Sequence, residues 1–145
     1  MTLHADYDPS NIFAQILRGE MPCVKVYEDG GTLAFMDVFP QSRGHVLVVP
    51  REASRNLLGV APKSIGRLFG TVQRVAVAVE AALKPDGITV TQFNGAPAGQ
   101  TVFHTHVHII PRYSDVALAG HGHDQMADME ELKKMAEKIR QKLES

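Results

Sequence analysis

The sequence has very little cysteine: Cys23 is the one thiol among 145 residues, and there is no tryptophan. A single thiol cannot form an internal disulfide, and zinc motifs use paired cysteines. No apolar run approaches the roughly 20 residues of a membrane-spanning helix, and residues 1–10 lack the basic and apolar stretches of a signal peptide. We therefore expect a cytoplasmic protein without a membrane partner.

The sequence also lacks an excess of charge, since 15 Lys and Arg residues stand against 16 Asp and Glu residues. Binding a nucleic-acid backbone by charge requires a basic excess, so this balance argues against a nucleic-acid partner. The length fits one domain, because domains most often contain roughly 100–150 residues. Histidine is the residue type present in unusual number, with seven copies.

The spacing of apolar residues predicts both helices and strands. The predicted helices cover residues 11–19, 62–84 and about 128 to the end, and the predicted strands cover 24–28, 32–37, 44–50, 87–94 and 101–111. The Asp29-Gly30-Gly31 step between the first two strands is typical of a hairpin. We therefore predict an α+β fold with an antiparallel sheet of about five strands, one long helix, a short N-terminal helix and a C-terminal helix.

The last predicted strand carries three alternating histidines, His104, His106 and His108. Alternate side chains of a strand share one face, so we expect the three imidazoles to project together and Phe103, Thr105, Val107 and Ile109 to face the core. A glycine-containing loop with polar side chains, residues 94–101, comes directly before them. Such a loop lets backbone N–H groups approach an anion closely.

Three interpretations of this strand are open from the residues alone. The first is a solvated polar face, which any polar residues could form. The second is a metal site, but His104 and His108 would have Cα atoms roughly 13 Å apart on a straight strand, so at most two neighbouring histidines could share one ion. The third, which we favour, is an extended phosphate site in which one imidazole attacks phosphorus as a nucleophile.

The segment from His104 to Ile110, HTHVHII, resembles the signature of the histidine-triad (HIT) superfamily of nucleotide hydrolases and transferases, which is His-φ-His-φ-His-φ-φ with φ apolar. Further similar motifs are Asn11-Ile12-Phe13, Tyr27-Glu28-Asp29, Leu33-Ala34-Phe35-Met36-Asp37, Gly44-His45-Val46-Leu47-Val48-Val49-Pro50, Gly99-Gln100-Thr101 and Pro111-Arg112. The resemblance implies a HIT-like fold, with a flexible leader over 1–10, a HIT domain over 11–113 and a C-terminal extension with an amphipathic helix over 114–145.

The resemblance also implies a mechanism. His106 matches the nucleophile, which attacks the α-phosphate and forms a covalent nucleotidyl-histidine that water then hydrolyses. His108 matches the histidine that contacts the α-phosphate oxygens, while His104 and His45 match two supporting histidines. The bacterial members that this sequence resembles belong to the Hint branch, the purine nucleoside phosphoramidases. The resemblance therefore implies a purine nucleotide as substrate.

The same resemblance implies how the rest of the nucleotide is bound. Asp37 matches the carboxylate that holds the ribose hydroxyls, although it could equally cap a turn before Pro40. Donors on the phosphate and leaving-group side are expected in the loop before the triad, at Asn94, Gly99, Gln100 and Thr101. Apolar walls around the base are expected at Ile12, Phe13, Phe35, Val38 and Leu47, five residues that would also suit an ordinary core.

One departure from the family concerns metal. Many bacterial members carry Cys-x-x-Cys before the first helix as part of a zinc site, whereas this sequence has Asn11 and Ala14 there. We therefore expect neither a metal nor another cofactor. His121 and His123 are interpreted as loop residues. The family also implies a homodimer, and it leaves two alternative functions open: a dinucleoside polyphosphate hydrolase, or a nucleotide-binding regulatory module with weak catalysis.

Overall fold

The computed structural model describes residues 3–121 and 125–144. Within these ranges the elements are α1 (Ile12–Leu17), β1 (Lys25–Glu28), β2 (Thr32–Met36), β3 (Val46–Pro50), α2 (Pro62–Leu83), β4 (Gly87–Thr91), β5 (Val107–Arg112) and α3 (Met129–Glu144), with short 3-10 turns at Leu57–Gly59 and Ala96–Ala98. No helix in the described part of the chain is long and apolar enough to cross a membrane.

The five strands form one sheet in the order β1-β2-β3-β5-β4, and every neighbouring pair is antiparallel. The predicted hairpin joins β1 to β2, where the Asp29 carboxylate accepts hydrogen bonds from the backbone N–H groups of Gly31 and Thr32, both at 2.8 Å. The prediction of an α+β fold with a five-stranded antiparallel sheet is therefore confirmed.

The two faces of the sheet have different coverings. Val46 and Val48 of β3 belong to the main core with α2 and α3, whereas Leu47 and Val49 pack with Phe13 of α1 in a second cluster. Leu47 is paired with His108 of β5, and paired residues project to the same face. His108 therefore lies on the α1 face, away from the long helix.

The predicted strand over residues 101–111 is shorter in the structure, because β5 begins at Val107. His104 and His106 lie in an irregular segment before it, where the Thr105 N–H donates to the Ser54 carbonyl at 2.8 Å instead of to a neighbouring strand. Phe103 is not a core residue as predicted: it is half-buried, and the Arg55 guanidinium lies 4.2 Å from its ring centroid. The three histidines therefore do not project from one regular strand.

The described part of the predicted leader, residues 3–10, contacts the body at several points. The Asn56 side chain donates to the Leu3 carbonyl at 2.9 Å, and Arg18 donates to the Pro9 carbonyl at 2.8 Å. Tyr7 contacts His104, a residue 97 positions away. The mobility of this segment stays a prediction, but its described residues are tied to the domain that follows.

Candidate active site

A cavity of about 610 Å³ opens on the α1 face of the sheet. Apolar side chains form most of its lining, and four histidines also line it. Of the predicted site residues it contains His45, His106, His108, Asp37, Thr101, Ile12, Phe13, Phe35, Val38 and Leu47. A deep, mainly apolar cavity with a few convergent polar groups is the usual form of a small-molecule site.

His106 is held in one tautomer by the backbone. Its Nδ1 lies 2.7 Å from the His104 carbonyl oxygen, which can only accept, so Nδ1 carries the proton and Nε2 keeps its lone pair. The ring is 4% exposed and stands edge-on to Phe13, with 4.9 Å between the ring centroids. Burial lowers the pKa of His106 to about 4, so at neutral pH this imidazole is uncharged and its Nε2 lone pair is available.

His108 is held by a second imidazole. The Gln41 N–H donates to His45 Nδ1 at 3.0 Å, so the proton of His45 is on Nε2, which donates to His108 Nδ1 at 3.0 Å. The remaining proton of His108 is then on Nε2, a buried atom without a hydrogen-bond partner. Burial, and then the neighbouring His106, lower the pKa of His108 to about 2. The result is a neutral N–H donor beside His106, with 5.0 Å between the two ring centroids.

Asp37 caps the turn that the sequence suggested for it, and its role toward ribose hydroxyls stays a prediction. Its Oδ1 accepts from the Phe39 N–H at 2.8 Å, which caps the turn before Pro40. Its Oδ2 lies 3.5 Å from His45 Nε2, and the side chain lines the cavity. Capping the turn therefore leaves this carboxylate facing the cavity.

Asp37, His45 and His108 each place one potential ligand atom within 4.8 Å of the others. Two of these atoms already share a proton, because His45 Nε2–H donates to His108 Nδ1. His45 cannot move that proton to Nδ1, which faces the Gln41 N–H. A cation here would have to break this hydrogen bond, so the arrangement fits a proton-bearing chain of imidazoles better than a metal centre.

The positions of the family's Cys-x-x-Cys zinc pair do not fit a zinc ion. Asn11 caps α1, where its Oδ1 accepts the Ala14 N–H at 2.9 Å, and Ala14 is buried without a ligand atom. Cys23 is half-buried and forms no disulfide.

Three predicted phosphate donors and one predicted histidine do not line the cavity. The Gln100 amide donates to the Arg55 and Val102 carbonyls and accepts from the Gly95 N–H. Asn94 accepts from the Leu57 N–H at 2.9 Å. Gly99 has φ of +109°, which favours glycine, and His104 is buried behind the cavity. These contacts show that the Gln100 and Asn94 side chains hold the conformation of the loop. A role of these residues in binding a phosphate stays a prediction.

Several cavity residues were not predicted. His121 of the C-terminal extension lies at the cavity, where its Nε2 donates to the Gly99 carbonyl at 2.6 Å, and Met126 and Met129 line the same region. Gln41 exchanges hydrogen bonds with Ala119, which ties the extension to the turn before β3. His121 can be seen in the sequence, but the Gly99 carbonyl that it contacts is brought to it only by the tertiary fold. His123 lies outside the described residues.

The chain resembles known proteins in sequence and in structure. Residues 18–115 match the family described as HIT domain. The chain is 36% identical to adenosine 5'-monophosphoramidase hnt1 of Schizosaccharomyces pombe over 135 residues, which is 92% of this chain and 98% of that protein. It is 40% identical to adenylylsulfatase HINT3 of Arabidopsis thaliana over 101 residues, which is 70% of this chain and 51% of that protein.

A solved structure also resembles this fold closely. It is a Hit-like protein involved in cell-cycle regulation from Bartonella henselae, with 45% sequence identity and a TM-score of 0.87. The superposition covers 94% of this chain and 99% of that one.

Proposed function

Because the chain belongs to the HIT family, we propose that it cleaves purine nucleoside phosphoramidates, or related nucleotides, at the α-phosphate through a covalent nucleotidyl-histidine. The observation that carries the proposal is the pair of tautomers at the cavity. His106 offers an Nε2 lone pair, and His108 offers an unpartnered Nε2–H next to it. One group can attack phosphorus while the other donates to a phosphoryl oxygen.

In the first step, the Nε2 lone pair of His106 forms a bond to the α-phosphorus. The bond from phosphorus to the leaving group breaks, and its electron pair departs with the leaving group, which takes a proton from solvent. In the second step, water attacks phosphorus and releases a proton to solvent, the bond to His106 breaks, and the lone pair returns to Nε2. His108 Nε2–H donates to the phosphoryl oxygens, whose charge grows in both transition states.

The names of two relatives support the substrate class. One is named an adenosine 5'-monophosphoramidase and the other an adenylylsulfatase, so both names describe cleavage next to an adenylyl group. In this chain the apolar side of the cavity suits a planar base, and the Asp37 carboxylate, which lines the same cavity, suits ribose hydroxyls.

The test is to incubate the protein with adenosine 5'-phosphoramidate and to measure AMP release and the mass of the protein. We expect turnover together with an adenylylated protein, and we expect His106→Ala to lose both. His4→Ala, at an exposed histidine that does not line the cavity, is the matched control and should retain them. If His106→Ala releases AMP as fast as the parent protein, the mechanism is wrong.

The same assay separates the alternative functions. Faster turnover of dinucleoside polyphosphates than of phosphoramidates would favour a polyphosphate hydrolase. Tight nucleotide binding without turnover of any substrate in the panel would favour a regulatory module.

We also propose that the protein is a homodimer, as the family resemblance implies. Support comes from β4, which is an edge strand of the described sheet and carries Val90 with 46% of its surface exposed. An unpaired edge strand invites pairing with a second copy. Analytical ultracentrifugation should give twice the mass of one chain, and Val90→Lys should shift the equilibrium toward monomer; a parent protein that sediments as a monomer contradicts the proposal.

A further inference from the structure

Tyr7 reaches the catalytic segment from the N-terminal end of the chain. Its hydroxyl lies 2.6 Å from His104 Nδ1, and the two rings meet edge-on with 5.7 Å between their centroids. His104 itself is fully buried and does not line the cavity. Tyr7 contacts this histidine from outside the cavity and so does not touch the substrate. Any effect of Tyr7 on the reaction therefore passes through His104.

The hydrogen bonds of His104 define which atom donates. His104 Nε2 lies 2.8 Å from the Pro50 carbonyl oxygen, which only accepts, so Nε2 carries the proton. Burial lowers the pKa of His104, so the ring is neutral and Nδ1 is an acceptor. Tyr7 is therefore the donor, and the imidazole is fixed on one side by the last residue of β3 and on the other by the N-terminal segment.

The His104 backbone then acts on the nucleophile. Its carbonyl oxygen accepts the His106 Nδ1–H at 2.7 Å, which is the contact that keeps the lone pair on His106 Nε2. Because the His104 side chain is fixed at both nitrogens, the peptide that carries this carbonyl is fixed as well. We propose that Tyr7 is a positioning residue for His106, which acts through the His104 ring and carbonyl. The proposal rests on the proposed function, in which His106 is the nucleophile.

Tyr7→Phe is the variant that tests this, because it removes one hydroxyl and keeps the ring. It leaves a buried lone pair on His104 Nδ1 without a donor, and loss of such an outer partner typically lowers activity about 10–100-fold. We expect kcat to fall by about that factor and KM to stay within about threefold, because no substrate contact is removed. Tyr113→Phe is the matched control, since the Tyr113 hydroxyl also donates one hydrogen bond, here to the backbone carbonyl of Arg43 at 2.9 Å.

A second measurement uses the free protein and needs no substrate. Imidazole ¹⁵N NMR should show His106 with its proton on Nδ1 alone in the parent protein and in Tyr113→Phe. In Tyr7→Phe it should show a mixture of both tautomers, together with a shifted Nδ1 resonance of His104. In a His104→Leu background, whose side chain has no hydrogen-bond acceptor, Tyr7→Phe should lower kcat no further.

The outcomes separate this proposal from the proposed function. If the parent protein turns over no nucleotide, the proposed function fails, while the tautomers of His106 still decide the role of Tyr7. If Tyr7→Phe matches Tyr113→Phe in both kcat and NMR spectrum, Tyr7 is not a positioning residue. A lower melting temperature with an unchanged His106 tautomer would show that Tyr7 only stabilises the fold, and it would also overturn the proposal.

Discussion

The cavity has two walls of different chemistry. The histidine wall consists of His45, His106 and His108, and each of its rings is held by a hydrogen bond at 2.7–3.0 Å. The apolar wall consists of Ile12, Phe13, Phe35, Val38 and Leu47, which contribute van der Waals surface. The function of the histidine wall depends on which ring nitrogen carries each proton. The function of the apolar wall depends on the apolar area that it presents to the substrate.

This difference assigns the two walls to different kinetic parameters. Directed donors stabilise charge that appears only in the transition state, so the histidine wall should determine kcat. Apolar surface binds the substrate and the transition state equally, so the apolar wall should determine KM. Phe13 belongs to the apolar wall and contacts His106 edge-on, so the two walls meet at this residue.

The sharpest test of the comparison is His108→Ala. The change removes the buried Nε2–H that, in the proposed mechanism, donates to the phosphoryl oxygens. Loss of one such donor lowers kcat about 10²–10³-fold. Stopped-flow kinetics with adenosine 5'-phosphoramidate should show this fall with little change in KM. A rise in KM with an unchanged kcat would mean that His108 only binds the substrate.

Lowering the pH should reduce the stability that the histidine wall contributes, whereas the apolar wall has no side chain that titrates. His106 has a folded pKa of about 4, below the ordinary value of about 6.5, so the unfolded chain binds the proton first as the pH falls. The contribution of His106 to the free energy of unfolding is therefore fully present above pH 6.5. It is lost between pH 6.5 and 4 and amounts to on the order of 3 kcal/mol. Urea unfolding at pH 7 and pH 4.5 measures this.

The matched protein for the acid experiment is His106→Gln, which cannot titrate. Its free energy of unfolding should fall less over the same pH range than that of the parent protein. Equal slopes would show that His106 is not the group responsible. The catalytic rate of the folded protein should persist below pH 6, because the nucleophile stays neutral down to about pH 4.

Gly44, which precedes His45, tests how far the histidine wall depends on the backbone. Its φ is +91°, and an added Cβ would overlap the Leu83 Cδ1 methyl and lie 3.3 Å from Pro111 Cγ. Gly44→Ala should lower the free energy of unfolding by about 2 kcal/mol, roughly half from the backbone conformation and half from the overlap. Thermal denaturation followed by circular dichroism measures the loss.

Gly19→Ala is the control for Gly44→Ala. Gly19 also has a positive φ, +79°, but an added Cβ there meets no atom within 4 Å. Its loss of stability should be about half as large. If the two variants are equally unstable, the overlap with Leu83 contributes nothing.

The smallest effect is expected at the apolar wall. Ile12 lines the cavity with 44% of its surface exposed, so Ile12→Ala removes area that a nucleotide base would cover. At about 0.8 kcal/mol per buried methylene, we expect KM to rise about 3–10-fold with kcat within about twofold. Leu58→Ala, at an exposed leucine outside the cavity, should change neither, and a large fall in kcat at Ile12→Ala would contradict the division between the walls.

The sequence predicts best what depends on local spacing. The apolar stripe predicted a helix over 62–84, and α2 ends at Leu83, because Lys84 adopts the left-handed conformation. The predicted fifth strand failed at its first half for a physical reason. Alternation of side chains does not show whether the backbone has a partner, and the Thr105 N–H is bonded to the loop residue Ser54.

The candidate site shows the same division. The triad and His45 could be identified as a group from the motif resemblance, and His45, His106 and His108 do meet at the cavity. The residues alone did not show their tautomers, because the atoms that fix them belong to the backbone of Gln41 and of His104; the family resemblance implied only that a backbone carbonyl holds His106. Tyr7 left no signal at all, since nothing local distinguishes a tyrosine that reaches a residue 97 positions away.

The pairing of β3 with β5 affects when the site can form during folding. His45 and His108 are 63 positions apart, and α2 and β4 lie between them in the chain. Contacts of such long sequence separation form slowly, because the intervening chain must be ordered first. A chain cut before β5 would hold His45 without its partner, so the catalytic group should appear only in the final stage of folding.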